Sequence, residues 1–125
     1  MKTHKFEVPF YKVQVTLVQI EGPEDMAEVE KACKKFGIEV TPGMRENIMR
    51  NRKNGGDTYR LLTHRCIVVF FYPFTNPLER EGVMCHEKRH IEDRILEFFG
   101  VSDIESSAFL AGYLGEEFYK FKEKL

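Results

Sequence analysis

Residues 66–100 read CIVVFFYPFTNPLEREGVMCHEKRHIEDRILEFFG, and this stretch decides the fold. Cys66-Ile67-Val68-Val69-Phe70-Phe71-Tyr72 is a nearly continuous apolar run, as expected for a strand covered on both faces, and Pro73 and Pro77 end it. Asn76-Pro77-Leu78-Glu79 then signals a helix start, with Asn at the N-cap, Pro at N1 and Glu at N3. Met84, Ile91, Ile95 and Phe98 recur at helical spacing, and Gly100 is a natural stop after Phe98-Phe99.

Within that helix lies His86-Glu87-Lys88-Arg89-His90, an H-E-x-x-H. Residues four apart on an α-helix sit about 40° apart around the axis and about 6 Å apart along it. Two imidazoles so placed can converge on one metal ion, and Glu87 on the shoulder of the same face can act as general base toward a water. The bland alternative is a pair of surface polar residues on an amphipathic helix.

Upstream, Phe6 to Ile20 reads as strand. Val13, Val15 and Leu17 alternate with Lys12, Gln14 and Thr16, the period of a half-buried strand, and Pro9 puts the start near Phe10 or at an edge. Gly22-Pro23-Glu24-Asp25 opens a helix of about 13 residues with acids in its first turn; Met26, Val29, Ala32, Cys33 and Phe36 form its apolar stripe and Gly37 closes it. Ile38-Glu39-Val40 reads as a short strand, Met44 to Arg52 has some helical character, and Lys53 to Asp57 is a turn. Thr58 to Leu62 is strand material. Ser102-Asp103-Ile104-Glu105 is a capping-box pattern that opens a last helix running to about Phe121. The elements define an α+β fold on one domain, residues 1–125. It has a small mixed or antiparallel sheet, a helix after the first strand, the H-E-x-x-H helix and a C-terminal helix.

The composition is ordinary for a globular domain: 125 residues, 42% hydrophobic, 31% charged, formal net charge −1. That charge gives no reason to expect nucleic acid, and no stretch reads as a signal peptide or membrane span. The basic residues Arg45, Arg50, Arg52 and Lys53 read as a solvated face. Three unpatterned cysteines, Cys33, Cys66 and Cys85, argue against a disulfide framework and fit a reducing, cytoplasmic setting. Cys85 reads as a buried apolar-like residue.

A catalytic zinc ordinarily has three protein ligands. His4 is terminal and His64 lies in another element, so Glu105, in the first turns of the neighbouring helix, is the better third candidate. At this point the chain resembles the zincin metallopeptidases, in a minimal form of their Glu-zincin (gluzincin) branch. His86-Glu87-Lys88-Arg89-His90 followed by Glu105-Ser106-Ser107-Ala108-Phe109-Leu110-Ala111-Gly112-Tyr113-Leu114 is similar to small predicted metallopeptidases of phages and bacterial mobile elements. Those proteins carry H-E-x-x-H and then an E-x-x-A-[FY]-L-x-G-Y-L segment. The resemblance implies a zincin-like fold with Zn2+ as cofactor. It makes His86, His90 and Glu105 the metal ligands and Glu87 the catalytic base. Tyr113 matches the Tyr of the second segment; apart from the resemblance, a catalytic role is expected for its phenol, polarising a substrate carbonyl or oxyanion. The departure is Lys88-Arg89, basic where zincins usually have uncharged residues; Arg89 is expected to pair with Asp93.

The expected function is therefore a zinc-dependent peptidase acting on a peptide or protein substrate, as a monomer or homodimer, with no nucleic-acid or membrane partner. The substrate is expected to align along an edge strand, Cys66–Tyr72 or Val13–Ile20. One alternative is a catalytically inactive zincin-fold binding module of a mobile genetic element; another is an accidental motif in an unrelated α/β protein, which a Glu105 more than ~10 Å from the histidine pair would support.

Overall fold

The apolar run that opens at Cys66 is an inner strand, buried from both sides. The structure, a computed structural model, describes residues 1–61 and 64–125. Among the described residues are the strands β1 (Lys2–Val8), β2 (Val13–Gln19), β3 (Gly56–Leu61) and β4 (Cys66–Phe71). They form one mixed sheet in the order β1-β2-β4-β3, in which β2 and β4 are parallel and both edge strands are antiparallel to their neighbours. The helices are α1 (Met26–Phe36), entered through a 3-10 turn at Pro23–Asp25, then α2 (Pro42–Met49), α3 (Pro77–Phe99) and α4 (Ile104–Glu123).

Strand alternation divides β4 between two cores. Ile67, Val69 and Phe71 face α3 and α4, beside Val13, Val15 and Leu17 of β2 and against Met84, Ile91, Leu110 and Phe118. Val68, Phe70 and Tyr72 face α1 and α2, against Val29, Cys33, Met44 and Ile48. The helices therefore cover both faces of the sheet, which is why the run carries no polar alternation.

The α3 boundaries are those read from sequence. The Asn76 side chain accepts from Glu79 N at 2.8 Å, and Gly100 closes the helix at φ 66°. Gly37 closes α1 in the same way, at φ 73°. Elsewhere the structure corrects the reading. Residues 6–20 are not one strand but a β1–β2 hairpin, so the first helix follows the second strand. Ile38 to Val40 is not a strand. Thr41 and Pro42 start α2, with the Thr41 hydroxyl accepting from Met44 N. The N-cap of α4 is Asp103, which accepts from Ser106 N at 2.8 Å; Glu105 is then the second residue of the helix rather than a capping-box partner. Cys85 is exposed, and all three cysteines are free. Of the expected strand Thr58 to Leu62, Leu62 lies outside the described residues. The strands proposed as edges, β2 and β4, are the central pair; the edges are β1 and β3. No helix among the described residues is long and apolar enough to cross a membrane.

The hairpin turn escapes notice because it is built without glycine. Phe10 and Lys12 have φ 67° and 54°, a region that costs an L-residue about 1–2 kcal/mol. Glycine loses about 0.5–1 kcal/mol in chain entropy, so Lys12→Gly should stabilise the domain by about 0.5–1 kcal/mol. A lower urea midpoint for the variant would refute this account of the turn.

Candidate functional site

Helix α3 turns by about 100° per residue, and that step distributes its side chains. Met84, Ile91 and Ile95 point into the core beneath the sheet. Lys88 lies about 160° around the axis from both His86 and His90. It faces α4, where its Nζ donates to the Ala111 carbonyl at 3.5 Å and pairs with the buried Glu92. Arg89 reaches Asp93 at 3.2 Å, as the spacing predicts. The two basic residues inside the motif are thus explained: one seals the α3–α4 seam and the other lies on the surface.

The histidines sit on the opposite side, facing the start of β3. Their Nε2 atoms are 2.9 Å apart, with the rings nearly perpendicular. Two nitrogens bound to one tetrahedral zinc at about 2.0–2.1 Å would be about 3.3 Å apart. The 2.9 Å separation is that of a hydrogen bond between the two rings, one nitrogen donating to the other, and it is shorter than the spacing two zinc ligands would take. The pair lines a hollow of about 240 Å³ together with Glu87 and Arg94 of α3 and Gly56, Asp57 and Thr58 of β3. A second hollow, of about 340 Å³, shares Gly56, His86 and Glu87 and extends past Glu79 and Gly82. Together they form a groove between α3 and the start of the β3 edge strand.

Glu87 lies at the centre of this groove and is 5% exposed. The Thr58 hydroxyl donates to its Oε2. Gly56 leaves room for its stem: a Cβ there would sit 3.0 Å from Glu87 Cγ. Alternation along β3 sends Asp57 to the other face of the sheet, where it accepts from the buried Tyr72 hydroxyl. Burial first, and then this hydrogen bond, push the Tyr72 phenol well above its ordinary range. Asp57 therefore borders the hollow while its carboxylate is engaged elsewhere.

Glu105 and Tyr113 are not brought to the pair. Glu105 lines a separate hollow with Phe10, Tyr11, Ser106 and Phe109. The Tyr113 hydroxyl donates to the Glu7 carbonyl of β1 at 2.8 Å, and its ring packs edge-on against Phe6. Strand β1 is three strand steps from β3, about 14 Å. Burial and the nearby Glu117 raise the Tyr113 phenol's pKa. His4 Nε2 is 2.7 Å from Glu117 Oε2, and His64 is not part of the hollow. Burial pushes the Glu117 carboxyl up, but His4 and Lys120 hold it below its usual value. Among the described residues no group of three His, Cys, Asp or Glu side chains is placed to hold a metal ion.

Sequence reasoning missed Thr58, Gly56 and Arg94. Arg94 was within reach, since it continues the i, i+4 stripe of His86 and His90 by one more turn. Thr58 and Gly56 carried no signal, because strand pairing alone brings them to the helix. Comparison with family models, with curated proteins and with solved structures finds no match to this chain.

Thr58→Val keeps the shape and removes the donor to a buried carboxylate. It should cost about 1–3 kcal/mol of stability. Equal unfolding free energies for the variant and the native chain would show that the hydroxyl does not hold Glu87.

Proposed function

We propose that this chain is a zincin-like, metal-dependent peptidase in which His86 and His90 hold a zinc ion and Glu87 is the general base. The observation that supports it is two imidazoles one turn apart, hydrogen-bonded to each other at 2.9 Å, on a groove that also contains a buried carboxylate. When bound, zinc would acidify a coordinated water and polarise the scissile carbonyl. Glu87 takes the proton of the attacking water and passes it to the leaving amine. Thr58 occupies one carboxylate oxygen, which orients the group and leaves Oε1 for the proton. Strand β3 is an edge of the sheet among the described residues and lies beside the groove, and an extended peptide can add to such an edge through backbone hydrogen bonds. Arg94 lies one turn beyond His90, about 6 Å along the helix. That is roughly two residues of an extended substrate.

A second reading is a non-catalytic zincin-fold binding module. What favours it is the ligand count: two imidazoles converge, while the carboxylate of α4 faces elsewhere.

Elemental analysis and peptide cleavage separate the two. Native protein and Glu87→Gln should each carry about one zinc, with His86→Ala and His90→Ala losing it. Glu87→Gln should lower hydrolysis about 10²–10⁴-fold. Equal zinc in all four proteins would reject the site, and a zinc-loaded native chain that cleaves nothing in a broad peptide library would favour the binding module.

A further inference from the structure

Away from the histidine groove, the start of α4 meets the tip of the β1–β2 hairpin. Phe10, Tyr11, Glu105, Ser106 and Phe109 line an open hollow there, of about 500 Å³. Phe10 is 84% exposed and Phe109 48%, and their rings meet edge to face at 5.6 Å. Tyr11 forms the inner wall, packed on Phe99 at 5.1 Å. The backbone displays Phe10 at a cost. Tyr11 N donates to the Pro9 carbonyl at 2.8 Å, closing a γ-turn with Phe10 at its centre in the left-handed region. A large apolar side chain held out to solvent on a strained backbone points to a contact outside the fold.

The chemistry of the hollow says what that contact is. Glu105 is exposed at its rim and has no ion-pair partner among the described residues. Aromatic faces attract cations, and an adjacent carboxylate adds full charge complementarity. Behind Tyr11, outside the hollow, the Arg65 guanidinium lies 5.9 Å from the centroid of Phe99. Lysine and arginine also have apolar stems that suit phenyl walls.

We propose that this hollow binds a lysine or arginine side chain presented by a partner protein, with Phe10, Tyr11 and Phe109 around its stem and Glu105 against its charge. The site stands apart from the histidine groove and does not rest on the peptidase reading.

The test is an NMR titration of the ¹⁵N-labelled full chain with three capped tripeptides, Gly-Lys-Gly, Gly-Arg-Gly and the neutral norleucine analogue. Saturable shifts at Phe10, Tyr11, Glu105 and Phe109 with the lysine or arginine peptide, at least tenfold weaker with norleucine, are expected. Glu105→Gln should weaken binding about tenfold while keeping the native melting temperature and zinc content, and Phe109→Ala should weaken it as well. Equal binding of norleucine, equal binding by Glu105→Gln, or no saturable shift at these residues overturns the proposal. Loss of zinc in Glu105→Gln overturns it too, because Glu105 would then be a metal ligand.

Discussion

Everything in the molecule's chemistry depends on how α3 is rotated about its own axis. Met84, Ile91 and Ile95 fix that rotation from below by sinking into the sheet. Lys88 and Glu92 fix it from the side, at the seam with α4. With those two contacts set, the 100° step leaves one stripe for the groove: Glu79, His86, His90 and Arg94, with Glu87 tucked against β3. A rotation of one residue would take the histidines away from the start of β3.

The Lys88–Glu92 pair shows how a charge inside the motif can serve the fold. Glu92 is 4% exposed, and Arg89 reaches it from outside at 3.6 Å. A buried pair of this kind contributes little net stability, because desolvation offsets most of the attraction. Removing Lys88 leaves Glu92 with Arg89 at 3.6 Å, and removing Glu92 leaves a Lys88 that is itself partly exposed, so the cost falls below that of breaking a fully buried pair. Both members lie on α3, and the pair reaches α4 through the Lys88 Nζ bond to the Ala111 carbonyl at 3.5 Å. Basic residues between the motif's Glu and second His are compatible with a dry core here because they point away from both core and groove.

Much of this was legible in the sequence where local chemistry decides the outcome. Asn76 and Gly100 bracket α3 because capping is a local hydrogen-bonding event, and the run from Cys66 to Tyr72 announced a strand with two covered faces. That His86 and His90 stand side by side on α3 followed from helical spacing alone. What was not legible depended on backbone states that the residue types disguise or on pairing at long range. The hairpin turn puts Phe10 and Lys12 in a conformation that usually announces itself with glycine. Thr58 reaches Glu87 only because β3 pairs with β4 and lies beside α3. Glu105 matched a motif by its place in the chain, but a match in spacing does not say on which side of a helix its partner lies.

That last point has an energetic side. Bringing Glu105 to the histidine pair would require α4 to leave the seam marked by Lys88 and cross to the opposite side of α3. Leu110, Leu114, Phe118 and Phe121 are almost wholly buried in the sheet-facing core and would be uncovered. At about 1.5–3 kcal/mol for each such side chain the loss is about 6–12 kcal/mol, comparable to the whole stability of a small domain. Tyr113 is held by the same helix, through its hydroxyl on Glu7 and its ring on Phe6. Two imidazoles 2.9 Å apart would have to open only slightly to share an ion, but no small adjustment carries a packed helix around its neighbour. The two ends of this fold are consequently separate chemical environments, one built from imidazole and buried carboxylate, the other from aromatic rings and an exposed one.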